Sequence, residues 1–107
     1  DLIKCLNKDI NYIIKKLKVD GGATSNNFLM KFQSNISNIA IEKPQNIEST
    51  GLGAALLSGV GSEFWPDDIE VLSKKREIHK NYYPKLTKSK RDKLLKNWIN
   101  AIKQCSI

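Results

Sequence analysis

The stretch Lys18-Val19-Asp20-Gly21-Gly22-Ala23-Thr24-Ser25-Asn26-Asn27-Phe28-Leu29-Met30 says more about the fold than any other part of the 107-residue sequence. Leu17-Lys18-Val19 is typical of a strand end. Residues 27–36 have the pattern of an amphipathic helix, with an apolar side made of Phe28, Leu29, Phe32 and Ile36. The glycines between them allow unusual backbone angles and leave no side chain in a ligand's way, and the helix start favours an anion. The stretch therefore predicts a strand–loop–helix surface suited to a nucleotide.

The residues of this loop leave a plainer interpretation open. Two glycines between a strand and a helix more often form a tight turn without any ligand, and Asp20 is as suited to capping the turn as to touching a ligand. The loop is not a Walker loop, since no Gly-Lys-Ser/Thr follows, and it lacks the GxGxxG dinucleotide fingerprint.

A resemblance to a known family favours the ligand-binding interpretation. Val19-Asp20-Gly21-Gly22-Ala23, continued by residues 25–34, resembles the adenosine-side loop of the carbohydrate kinase family that includes glycerol kinase. Downstream, Ile41-Glu42-Lys43-Pro44 is similar to that family's next strand, and residues 49–59 resemble its small-residue helix. Phe64-Trp65 resembles the turn after that helix, and Trp98 fits the tryptophan of the last helix. The resemblance runs along the whole chain, and the two glycine-rich segments carry its specificity.

The resemblance implies both a fold and an activity. The fold is α/β, with residues 1–107 forming the C-terminal part of the second actin-like (ribonuclease H-like) ATPase domain of a longer kinase. Overall likeness favours the glycerol kinases, cytoplasmic enzymes that phosphorylate glycerol to glycerol 3-phosphate with ATP and Mg2+. Gly22 and Asn26 are implied as adenosine-side contacts, and Gly21 and Gly22 as bare main chain beside the nucleotide. Catalytic, metal-binding and acceptor-binding residues are expected upstream, so this segment alone is expected to be inactive.

Two other functions remain open. Another sugar kinase of the same fold, such as a xylulose or gluconate kinase, is one, because the acceptor-binding residues that would decide are not in this sequence and only overall likeness favours glycerol. A non-catalytic basic interaction module is the other, since 18 Lys and Arg against 11 Asp and Glu give a net charge of +7, concentrated in the last third. A solvated face explains these lysines better, so no nucleic-acid partner is predicted. Homo-oligomerisation is compatible with the sequence and is not determined by it.

The composition of the sequence limits which other kinds of site are expected. No apolar run approaches the roughly 18 residues that a membrane span requires. Cys5 and Cys105 stand alone and are predicted to be buried reduced thiols, with a disulfide between them as the less favoured alternative. His79 is the only histidine, and the adjacent acids Asp67 and Asp68 are better explained by helix capping than by a metal. No metal site is therefore predicted.

Periodicity and capping residues predict the remaining elements. Asp1 is expected to cap a first helix, Asp67 or Asp68 a short one, and Thr87 the last. A strand over residues 39–42, ended by Pro44, is expected to run parallel to the strand over residues 15–19, and a third strand is expected over residues 76–83. The small residues of a helix over 50–59 suggest a close approach, either by a nucleotide cleft or by a neighbouring helix. A core stripe is predicted on the last helix: Leu94, Leu95, Trp98, Ile99 and Ile102.

Overall fold

The structure, a computed structural model, describes residues 1–106 and is a mixed α/β arrangement. Its elements, in chain order, are α1 (Leu2–Asp9), β1 (Lys16–Lys18), a 3₁₀ turn (Gly22–Ser25), α2 (Asn27–Ser37), β2 (Ala40–Pro44), α3 (Ser49–Gly61), α4 (Ile69–Ser73), β3 (Ile78–Tyr82) and α5 (Lys88–Cys105). The predicted helices and strands are all present, with ends shifted by one or a few residues. The α/β prediction is therefore confirmed.

The three strands form one sheet in the order β1-β2-β3. Strands β1 and β2 are parallel, with Lys16 opposite Ala40, and α2 makes the crossover between them. Strands β2 and β3 are antiparallel, with Ile41 opposite Tyr82. The predicted parallel pair is confirmed, and the middle position of β2 explains why Ile41 is completely buried.

Helix α2 packs on the sheet through a side that differs from its most apolar one. Its buried residues are Met30 and Ser34, one turn apart, whereas Phe28 is 76% exposed and Phe32 is also exposed. The Ser34 hydroxyl is satisfied there because it donates to the carbonyl oxygens of Ile39 and Tyr82 at 2.8 and 3.3 Å. A hydrogen-bonded serine thus occupies a core position that apolar periodicity does not identify.

The predicted core stripe of α5 was wrong for the described residues. Leu94, Trp98, Ile99 and Ile102 are all exposed, and no residue of α5 is buried. The helix is held instead by hydrogen bonds from Arg91, whose Nε donates to the Asn35 carbonyl at 2.7 Å. The prediction of buried thiols was also wrong, because Cys5 and Cys105 are both exposed and free.

The helix starts follow the capping predictions except at α1. Asp68 accepts hydrogen bonds from the amides of the first turn of α4, and Thr87 accepts one from the Lys90 amide. Asp1 precedes α1 without accepting a capping hydrogen bond. Its carboxylate accepts from the Trp98 indole at 2.9 Å instead, and so links α1 to α5.

A buried carboxylate, that of Glu42, joins the three strands of the sheet. Glu42 is 3% exposed and lies in the middle strand, where Lys16 of β1 donates to it at 2.9 Å. Arg76, just before β3, pairs with its other oxygen. The Lys16 hydrogen bond, reinforced by Arg76, holds the pKa of the Glu42 carboxyl below its ordinary value in spite of burial. The ionised form of Glu42 is therefore the one that stabilises the fold.

Substitution Glu42→Gln tests this assignment through the pH dependence of stability. A carboxyl whose pKa is lowered on folding stabilises the protein above its unfolded-state pKa, about 4.3, and that stabilisation is lost as the pH falls through the folded-state pKa. We expect the variant to lose about 2 kcal/mol of unfolding free energy at pH 7, since two cations lose their partner. This deficit should shrink below about pH 4.

Urea unfolding followed by the fluorescence of Trp65 and Trp98 measures the deficit at each pH. Exposed Glu70 is in no ion pair among residues 1–106, so Glu70→Gln is the matched control and should stay within about 0.5 kcal/mol of the parent at every pH. A deficit for Glu42→Gln that is the same at pH 7 and pH 3 would contradict the assignment.

Candidate functional site

The predicted loop is a sharp bend between β1 and α2. Gly21 has φ 86° and ψ 169°, a region of backbone space that is essentially limited to glycine. Its amide donates to the carbonyl oxygen of Ile47 at 2.7 Å. The bend is therefore fixed to the β2–α3 loop, and Gly21 is required by the backbone geometry itself.

A second anchor of the bend comes from Thr24, which is 3% exposed. Its hydroxyl donates to the Gly21 carbonyl oxygen at 2.6 Å, and its amide donates to the same oxygen at 3.1 Å. Sequence reasoning missed this contact. A hydroxyl residue three positions after a turn glycine is the available signal, since serine and threonine often bond to backbone groups three residues back.

The outer surface of the bend is open. A Cβ atom placed on Gly21 or on Gly22 would meet no atom within 4 Å. Gly22 and Ala23 are exposed. The loop thus presents bare main chain to open space, as the nucleotide-binding interpretation requires.

Asn26 lies at the start of α2, four residues after Gly22. Its side-chain oxygen accepts from the Leu29 amide at 3.1 Å, so Asn26 is the N-cap of α2, and it is exposed. The three predicted site residues Gly21, Gly22 and Asn26 are therefore brought together on one short exposed segment. The capping bond uses the amide oxygen of this side chain and does not involve its amide nitrogen, which is a hydrogen-bond donor.

Helix α3 begins beside this segment, because Ile47 lies two residues before it and binds Gly21. A Cβ at Gly51 or Gly53 would meet nothing within 4 Å, so no neighbouring helix among residues 1–106 packs closely there. The close approach occurs at Gly59, which the Trp65 ring covers so tightly that a Cβ would clash. The predicted packing of a neighbouring helix against the glycines at the start of α3 is therefore not seen among residues 1–106, and the contact at Gly59 comes from a side chain of the following turn.

A groove of about 700 Å³ adjoins the bend on its inner side. It lies between α1, β1, α2 and α5, and its walls are mainly apolar. The wall residues nearest the bend are Asp20, Ala23 and Thr24. Apolar side chains of α1 and β1, Leu6 and Leu17 among them, line the rest.

Other kinds of site have no support in residues 1–106. They contain no group of three or more His, Cys, Asp or Glu side chains able to hold a metal ion. Asp68, one of the two adjacent acids, is engaged in capping α4. None of the described helices has both the length and the apolar character needed to cross a membrane.

Comparisons with known proteins agree with this arrangement. The sequence model of the C-terminal domain of the FGGY family of carbohydrate kinases matches residues 1–62. The glycerol kinase of Malacoplasma penetrans is 47% identical over 97% of this chain, and that of Bacillus subtilis is 41% identical over 96%. These alignments cover 20% and 21% of the two relatives, so the chain spans about a fifth of their length.

A solved structure supports the same relationship. The crystal structure of Plasmodium falciparum glycerol kinase with ADP superposes on 99% of this chain with a TM-score of 0.82 and 32% sequence identity, over 21% of its own length. The fold is thus shared along nearly the whole chain. Because the family model matches more than half of the residues, the chain belongs to the FGGY family of carbohydrate kinases.

Proposed function

We propose that this chain is part of a glycerol kinase, which transfers the γ-phosphoryl group of ATP to glycerol and yields glycerol 3-phosphate. The observation that carries the proposal is 47% identity to a glycerol kinase along almost the whole chain. The 41% identity to the Bacillus subtilis enzyme supports the same acceptor. The family model alone covers carbohydrate kinases in general, so the choice of glycerol depends on these relatives.

Residues 1–107 are proposed to be the C-terminal part of the second actin-like domain of that enzyme. The chain spans a fifth of the length of its relatives, and its radius of gyration is 17.8 Å, against about 13 Å for a compact domain of this size. Among residues 1–106, only four hydrophobic side chains are buried: Met30, Ile39, Ile41 and Tyr82. Such a small core supports a segment that is completed by other parts of a longer polypeptide.

The surfaces that remain open fit this proposal. Strand β1 pairs only with β2 within residues 1–106, so its other edge is unpaired. The groove of about 700 Å³ lies next to that edge. Large hydrophobic side chains that line the groove are exposed, Leu2 and Leu6 on α1 and Leu29 on α2 among them. A contiguous apolar surface beside an open sheet edge is typical of an interface rather than of a solvent face.

Within the enzyme, the bend at Gly21 and Gly22 is proposed to form the adenosine side of the ATP site. The open main chain of Gly22 would lie against the ribose and the α-phosphate, and Ala23 keeps the wall low. Asn26 caps α2 with its oxygen and would donate to the nucleotide with its amide nitrogen. The start of α2 adds the partial positive charge that an anionic ligand favours.

Positioning is the proposed contribution of this segment to the reaction. Phosphoryl transfer depends mainly on alignment and charge neutralisation, with Mg2+ supplying part of the latter when it is bound. The donor set of residues 1–106 does not fit a metal site, as no cluster of three candidate ligands is present there. The Mg2+ ligands, the glycerol pocket and the catalytic base are therefore proposed to lie upstream. We also propose that this enzyme is cytoplasmic. The proposal makes no choice between a monomer and a homo-oligomer.

Phosphorylation assays on the full-length protein test the proposed function. Purified protein is supplied with Mg-ATP and, separately, with glycerol, xylulose and gluconate, and ADP release is measured. We expect glycerol to give a kcat/KM at least about tenfold above the other acceptors, because a site that hydrogen-bonds one substrate's hydroxyls discriminates strongly. A clear preference for xylulose or gluconate would refute glycerol as the acceptor, and no ADP release with any of the three would refute the kinase.

Substitution Gly22→Val tests the adenosine-side assignment. The structure leaves room for the added side chain, so the fold should tolerate it, and the clash should arise only with a bound nucleotide. We expect the KM for ATP to rise by about tenfold or more, with the KM for glycerol within about twofold of the parent. Gly61→Val is the matched control, since Gly61 is equally open and lies at the far end of α3, about 18 Å along the helix. An unchanged KM for ATP in Gly22→Val would contradict the assignment.

Substitution Asn26→Asp separates the two roles of Asn26. Aspartate caps a helix as well as asparagine does, so the thermal stability should stay close to that of the parent. It lacks the amide donor and adds a negative charge, and we therefore expect ATP affinity to fall by about tenfold. Isothermal titration with ATP and a thermal melt measure the two effects. Parent-like ATP affinity would leave Asn26 with the capping role alone.

A further inference from the structure

Thr24 is a buried polar residue that the proposed function leaves unused. It lies on the inner side of the bend and contributes to the wall of the groove there. Both of its hydrogen bonds to the bend go to one acceptor, the Gly21 carbonyl oxygen. Two donors at 2.6 and 3.1 Å hold that oxygen in place on the buried side.

The hydrogen bonds to the Gly21 carbonyl also fix the Gly22 amide, because the two groups share one peptide bond. The Gly21 carbonyl and the Gly22 amide belong to one planar trans peptide unit, in which C=O and N–H point in opposite directions. Because Thr24 fixes the direction of the carbonyl, it also fixes the direction of the Gly22 N–H. That N–H therefore points away from the Thr24 hydroxyl, and it belongs to Gly22, which is exposed.

Ile47 fixes the preceding peptide in the same way. Its carbonyl oxygen accepts from the Gly21 amide at 2.7 Å, so both peptide planes that flank Gly21 are tied. Glycine has the greatest backbone freedom of all residues, and two consecutive glycines without such anchors would sample many orientations. A site made of main-chain donors has to be held in one orientation before the ligand arrives.

We infer that Thr24 is a positioning residue for the nucleotide, whose hydroxyl pre-orients the Gly21–Gly22 peptide on the opposite face of the bend. The inference rests on the proposed function, since it deepens the adenosine-side site. Thr24 itself is buried and has no contact with the ligand in this scheme. Thr24 affects nucleotide binding only by orienting the Gly21 carbonyl group.

Substitutions at Thr24 in the full-length protein test the inference. Thr24→Val keeps the shape and removes the hydroxyl, while Thr24→Ser keeps the hydroxyl and removes a methyl group. We expect Thr24→Val to raise the KM for ATP by about five- to tenfold, with kcat and the KM for glycerol within about twofold of the parent. Thr24→Ser should restore the KM for ATP to within about twofold.

Ser34→Ala provides the matched control, because Ser34 is also a buried hydroxyl that donates to main-chain carbonyls, but at the α2–sheet contact. This variant should lower the melting temperature and leave the KM for ATP unchanged. The inference is overturned if Thr24→Val binds ATP like the parent, if it loses ATP and glycerol affinity equally, or if Thr24→Ser is as weak as Thr24→Val. Failure of the parent to bind ATP at all would instead refute the proposed function, and the inference with it.

Discussion

The bend depends on the middle strand, and in particular on the burial of Glu42. Its carboxylate is held by Lys16 from β1 and by Arg76 from the segment before β3, so one side chain ties both neighbours to β2. Its carbonyl oxygen accepts from the Val19 amide at 3.1 Å, which sets the direction of the chain as it leaves β1. A buried charge is tolerated only with such partners, since an unpaired one would be too costly.

The loop that follows β2 also holds the bend through a hydrogen bond. Three residues beyond Pro44, the carbonyl of Ile47 accepts from the Gly21 amide. Before the two glycines, the chain is therefore bonded to β2 through the Val19 amide. At the first glycine, it is bonded to the loop after β2 through the Gly21 amide. The positive φ of Gly21 thus lies where the chain is attached at two successive points, and the bend is held by the sheet and the loop that follows it as well as by its own residues.

Sequence reasoning predicted the elements and the bend because local signals specify them. Glycine at a strand–helix junction and caps such as Asp68 and Thr87 depend on neighbours in the chain, and the parallel pairing follows from the strand–helix–strand order. Sequence reasoning missed the local contact of Thr24, and the contacts of Ser34 and Glu42 were beyond its reach. Each of these buried polar groups is satisfied by specific hydrogen bonds, and for Ser34 and Glu42 the partners lie as far as 48 and 34 residues away.

Apolar periodicity identified the wrong buried surfaces for a related reason. It finds the side of a helix that avoids water, but it does not say which partner covers that side. The stripe on α5 and the phenylalanines of α2 have the pattern of a core, and within residues 1–106 they are exposed. The exposed fraction of Trp98, 54%, is compatible with such a surface when another part of a longer polypeptide packs against it.

The two glycines of the bend are required for different reasons, and this difference bears on function. Gly21 has a positive φ, so the fold alone accounts for it. Gly22 does not have a positive φ, and a Cβ there would meet no atom within 4 Å, so nothing in residues 1–106 accounts for a glycine at that position. Glycine lowers stability through the entropy of the unfolded chain, and at a site that tolerates a side chain it is an avoidable cost. The nucleotide that we propose to lie against the main chain at Gly22 would give this position the reason that the fold does not.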